Sequence, residues 1–110
     1  AGPFHPAFGE LVEQEIFREQ AEMAIRLYTH TRALPGHIEL LVNPRDMSRM
    51  VGYKRRNIYY IQKKYHLQGL KVKPWPYIRK GAIGIASQDG LNPALILDHK
   101  DYLHMCEDRL

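Results

Sequence analysis

Apolar residues recur at helical spacing from Phe8 to about Thr31: Val12, Ile16, Met23 and Leu27, flanked by Phe17, Ala21, Ala24 and Tyr28. Glu10, Glu13 and Glu15 lie early in this segment and Arg26 and Arg32 late, an order that suits the helix dipole. Pro35-Gly36 ends it. The helix is expected to pack on its own domain, with a homodimer through the same helix as the alternative. The period then changes to two. His37 to Val42 sets Ile38, Leu40 and Val42 on one side and Glu39 and Leu41 on the other, which predicts a half-buried strand. Asn43-Pro44 supplies an N-cap and a first-turn proline for a short helix whose apolar face is Met47, Met50 and Val51 and whose end is Gly52. Past the turn Gly52-Tyr53-Lys54-Arg55, a second helix buries Ile58, Ile61 and Tyr65 and turns Arg56, Tyr60, Lys63 and Lys64 elsewhere.

Gly69 is expected to break that helix, and Leu70-Lys71-Val72-Lys73 alternates as a second strand. Pro74 to Lys80 reads as a loop, Ala82 to Ala86 as a third strand and Ser87 to Pro93 as a turn. Ala94 to Leu97 is a short apolar run, and Asp98 caps a last helix through Leu110. The pattern predicts a single α+β domain over residues 1–110, with 1–36 as an N-terminal helical extension and 37–110 as the core.

Length and composition add limits. A chain of 110 residues builds one core, and 45% hydrophobic with 25% charged residues is ordinary for a globular domain. The one cysteine, Cys106, excludes an internal disulfide framework, so a reducing, cytoplasmic setting is the expectation. No apolar run reaches the ~18 residues of a membrane helix, and no signal peptide is recognisable. Opening on Ala1 rather than Met is what a fragment of a longer protein would do. His99, His104 and Cys106 do not share a helix face and lack a fourth ligand, so no metal or other cofactor is expected. Nothing argues a Ser-His-Asp or paired-carboxylate site, and catalysis by this chain alone is not expected.

Charge changes the picture more. The net charge is +4, but from Met47 to Gln88 there is no acidic residue at all. That window holds ten of the sixteen Lys and Arg: Arg49, Lys54, Arg55, Arg56, Lys63, Lys64, Lys71, Lys73, Arg79 and Lys80. Such a run suits nucleic-acid phosphates, with a solvated face as the plain alternative. Gly52 would let a sugar-phosphate backbone come close, and the amides of the following helix would meet a phosphate. Lys71 and Lys73 would flank the bases of a single strand. Tyr60, Trp75 and Tyr77 are candidates for stacking, whereas Tyr59 is expected in the core. The expected contact residues are Arg49, Gly52, Tyr53, Lys54, Arg55, Arg56, Asn57, Tyr60, Lys63, Lys71, Lys73 and Trp75.

Val51-Gly52-Tyr53-Lys54-Arg55-Arg56-Asn57-Ile58-Tyr59-Tyr60-Ile61 resembles the heart of a KH (K-homology) domain, with an apolar residue before a GXXG loop and isoleucines following on the next helix. The resemblance covers about Ile38 to Lys73. It implies a KH-like β-α-α-β core, with the long N-terminal helix, a third strand and a closing helix around it, and single-stranded RNA, or less readily DNA, as the partner. Arg55 stands where that family has its second glycine. Met47 through Ile61 also resembles a helix-turn-helix, and with His37 to Leu40 and Leu97-Asp98 is similar to the winged-helix domains of Crp/Fnr regulators. That resemblance implies duplex DNA in contact with Lys54, Arg55, Arg56, Asn57 and Tyr60, and a wing at Pro74 to Lys80. Gly2 to Val12 is similar to segments that trail the catalytic barrel in radical-SAM proteins related to the elongator catalytic subunit. It implies an accessory or docking module of a larger RNA-modifying enzyme.

Overall fold

The chain is described by a computed structural model over residues 8–87 and 92–107. β1 (His37–Val42) runs through the middle of the sheet. It is flanked by β2 (Gly69–Pro74) on one side and by β3 (Ile83–Ala86) on the other, with β4 (Pro93–Leu97) beyond β3. β1 and β2 are parallel, and the helical segment between them supplies the crossover that such a pair needs; β1–β3 and β3–β4 are antiparallel. Among the described residues, four strands and four α-helices make a mixed α+β fold. Among the described residues no helix is long and apolar enough to cross a membrane.

Alternation sorts the strands onto two faces. Ile38, Leu40, Val42, Leu70, Val72, Ile83, Ile85 and Leu97 point to the side where the helices lie. α1 (Phe8–Thr29) supplies Phe17, Ala21, Met23, Ala24, Ile25 and Tyr28 to that core. It is therefore an integral layer of the domain. Its buried stripe is phased away from Val12, which is exposed. α2 (Met47–Val51) adds Met50, α3 (Arg56–Lys64) adds Ile58 and Ile61, and α4 (His99–Glu107) adds Tyr102.

The other face carries its own cover. Leu41, expected at the surface, is buried because the loop after β2 folds back over it with Ile78, Ala82 and the partly buried Trp75. Gly84 makes room for this, since a Cβ there would lie 3.0 Å from Ile78 Cδ1. Asn43 ties the arrangement. Its Oδ1 accepts the Arg45 amide as a cap, while its Nδ2 donates to the Ile78 carbonyl at 2.9 Å.

Several boundaries differ from the pattern. Asn43-Pro44 starts a 3-10 turn, Pro44–Asp46, before α2 proper. α3 stops at Lys64, and the left-handed residue that turns the chain is His66 (φ 55°) rather than Gly69, which already pairs with His37 in the sheet. β4 is a strand that lack of alternation in Pro93 to Leu97 concealed. Of the predicted turn between β3 and β4, residues 88–91 lie outside the described residues, as do 108–110 of the last helix. Asp98 does cap α4, accepting the Lys100 amide at 3.0 Å.

Candidate nucleic-acid interface

The turn between α2 and α3 has an unusual backbone. Gly52 (φ 82°), Lys54 (φ 52°) and Arg55 (φ 61°) all have positive φ, and the last two are L-residues in the left-handed region. Such residues cost about 1–2 kcal/mol each. The turn is held by its hydrogen bonds. The Gly52 amide donates to Ser48 O at 2.9 Å, the Tyr53 amide to Gln14 Oε1 at 3.0 Å, and the Arg55 amide to Gly52 O at 3.0 Å. The Arg56 amide donates to Tyr53 O. These four amides, of which that of Arg56 opens α3, are engaged within the turn.

Gly52 has an internal reason as well. A Cβ there would meet Asn57 N at 3.0 Å and Asn57 Cγ at 3.1 Å. Asn57, expected at the surface, is 3% exposed. Its Nδ2 donates to Gln14 O at 2.9 Å and Arg49 O at 3.2 Å, so the side chain joins α1, α2 and α3 beneath the turn.

What faces outward is charge and aromatic surface. Tyr53, Lys54, Arg56, Tyr59, Tyr60 and Lys63 line one shallow open surface. Tyr59 is 60% exposed, against the expected core position. Ile58 and Ile61 define the buried stripe of α3, and residue 59 lies about 100° of helical turn from Ile58, so the periodicity itself carried the signal. The Lys54 ammonium lies 5.5 Å from the Tyr53 ring centre and the Arg55 guanidinium 5.8 Å from that of Tyr59. Arg18, which sequence reasoning passed over, stacks its guanidinium 4.2 Å over Tyr60 while bonding Glu22 at 3.1 Å.

The folded chain trims the basic window. Arg49 bonds Glu13 at 2.7 Å and the buried Asp46 at 3.3 Å, and first that Glu13 hydrogen bond, then its charge, holds the guanidinium above its ordinary pKa. Lys64 bonds the buried Glu22 at 2.6 Å, which likewise raises its pKa. Lys73 pairs with Glu39 and Arg79 with Asp98. Among the described residues, Lys54, Arg55, Arg56, Lys63, Lys71 and Lys80 have no carboxylate partner.

The expected contact residues thus divide. Gly52, Tyr53, Lys54, Arg55, Arg56, Tyr60 and Lys63 come together at the turn and α3. Arg49 stands beside them but is ion-paired, and Asn57 lies underneath. Lys71, Lys73 and Trp75 belong to the opposite side of the sheet, because Leu70 and Val72 between them face the helices and Trp75 packs with Leu41. One shallow groove does not hold both groups.

The expected wing also takes another form. A wing is a hairpin between paired strands, whereas β2 and β3 stand on either side of β1 and the loop between them is anchored by buried Ile78. Comparison with protein-family models, curated proteins and solved structures finds no match for this chain.

Proposed function

We propose that this chain is a binding module for single-stranded nucleic acid, RNA ahead of DNA, gripping phosphates with Lys54, Arg55, Arg56 and Lys63 and stacking bases on Tyr53, Tyr59 and Tyr60. The observation that carries the reading is the interleaving itself: cations with no carboxylate partner among the described residues alternate with exposed rings along one turn and one helix flank. An aromatic ring exposed beside a cation serves a strand whose bases are unstacked, and each stacked base contributes about 1–3 kcal/mol. A duplex hides those base faces. RNA stands ahead of DNA on the KH-like resemblance and on the β-α-α-β order that it implies. The grip proposed here is made by side chains, since the amides of Gly52, Tyr53, Arg55 and Arg56 are engaged within the fold.

Salt dependence tests it quantitatively. Four phosphate contacts on a single strand give a slope of about −3 in log K against log salt, so a fourfold rise in salt should weaken binding about fiftyfold. Competition between a labelled single-stranded RNA and the same sequence as duplex DNA should favour the single strand. Preference for duplex would revive the helix-turn-helix reading. No binding of either at low salt would leave a protein-docking module.

A further inference from the structure

We propose that the cleft between α1 and α3 takes the edge of one guanine base of the bound strand, an inference that rests on the nucleic-acid reading above and names what that site selects. The cleft has a volume of about 110 Å³ and is walled by Leu11, Gln14 and Arg18 of α1 and by Arg56 and Tyr60 of α3. A closed cavity of about 150 Å³ takes a benzene ring, so this smaller cleft, open on one side, admits the edge of one base rather than the whole ring. Arg56 and Tyr60 also line the open basic surface with Tyr53, Lys54 and Lys63. A strand lying on that surface therefore passes the mouth of the cleft and can lower the edge of one base into it.

The walls are set before any base arrives. Asn57 fastens α3 to the α1 backbone through Gln14 O, and Arg18 is held by its bond to Glu22 and its stacking on Tyr60. Such preorganisation lowers the ordering cost of binding. The polar groups at the rim decide which base fits. Arg56 has no ion-pair partner among the described residues, and its five donors let one fork take a base edge while the remaining N–H groups keep the phosphate contact. The Glu15 carboxylate also lines the cleft, and its nearest cation is Arg18 at 3.8 Å, too far for a hydrogen bond. Guanine presents O6 and N7 acceptors to an arginine and N–H donors, including its 2-amino group, to a carboxylate. No other common base offers an arginine two such acceptors and a carboxylate two adjacent donors.

The test uses short single-stranded oligonucleotides that differ only at one central position: guanine, hypoxanthine, uracil or an abasic sugar. Guanine should bind about tenfold or more above the abasic strand, the discrimination of one good bidentate pair. Hypoxanthine, lacking the 2-amino group, should fall between. In Glu15→Gln, an exposed position on α1, the gap between guanine and hypoxanthine should close while the salt slope stays. In Leu11→Trp the indole fills the cleft, and guanine should drop to the abasic level. Equal affinity of the wild type for guanine and abasic strands, with steep salt dependence intact, overturns this inference alone. Absence of salt-dependent binding to any strand overturns the nucleic-acid reading and this inference with it.

Discussion

Arg55 is the residue where charge and backbone disagree. At φ 61° a glycine would sit without strain, yet the chain places a long cation there, next to Lys54 at φ 52°. Strain of this kind persists where the surroundings impose it, and here it aims two cations and their rings at solvent. Arg55→Gly should therefore raise stability by about 1 kcal/mol, the left-handed cost less the extra unfolded-state freedom of glycine, while weakening strand binding. Urea midpoints check the first part, and a lower midpoint would show that the turn is not strained. Gly52→Ala should do the reverse and cost at least about 2 kcal/mol, since both its positive φ and its closeness to Asn57 oppose a Cβ. The sequence displayed Gly52 and its basic neighbours plainly. It did not display Asn57 beneath them, because an Asn in a basic run looks like surface until the α1 backbone is seen to accept its hydrogen bonds.

At the scale of elements, β1, β2, β3, α2 and α3 were legible because each has a clear period or a cap. β4 has neither, and the outer-face loop depends on Asn43 reaching Ile78 across the chain, a contact no local pattern announces. The buried polar groups of α1 were likewise invisible. Gln20 Nε2 donates to Gly81 O at 2.8 Å and Leu97 O at 2.9 Å, and its Oε1 meets His99 Nδ1 at 3.0 Å. Gln20→Ala should cost about 2–3 kcal/mol, because buried carbonyls lose their donor. A denaturant titration showing less than half that loss would mean that water replaces the amide. The two sides of the sheet make another prediction. Trp75→Ala, which loosens the cover over Leu41 on the side opposite α3, should leave the affinity of the folded protein for a short single strand within about twofold. A loss as large as that from a turn mutation would mean that the strand crosses the sheet edge.

For the whole molecule, the central question is how much of a basic sequence survives folding as a basic surface. In one dimension the window from Met47 to Gln88 has no acid; in three, carboxylates of α1 and β1 reach Arg49, Lys64 and Lys73. What remains concentrated is the turn and the flank of α3. The most direct measurement compares wild type with Lys54→Asp/Arg55→Asp for both stability and salt-dependent binding of one single-stranded RNA. Aspartate tolerates the left-handed region better than most side chains, which offsets the loss of two solvent-exposed cation–ring contacts, so unfolding should change by no more than about 0.5 kcal/mol. Binding at moderate salt should fall at least about tenfold, and the slope of log K against log salt should shrink from about −3 to about −1.4 or less as two phosphate contacts are lost. A well-folded double mutant that binds RNA with the wild-type affinity and slope would contradict the account.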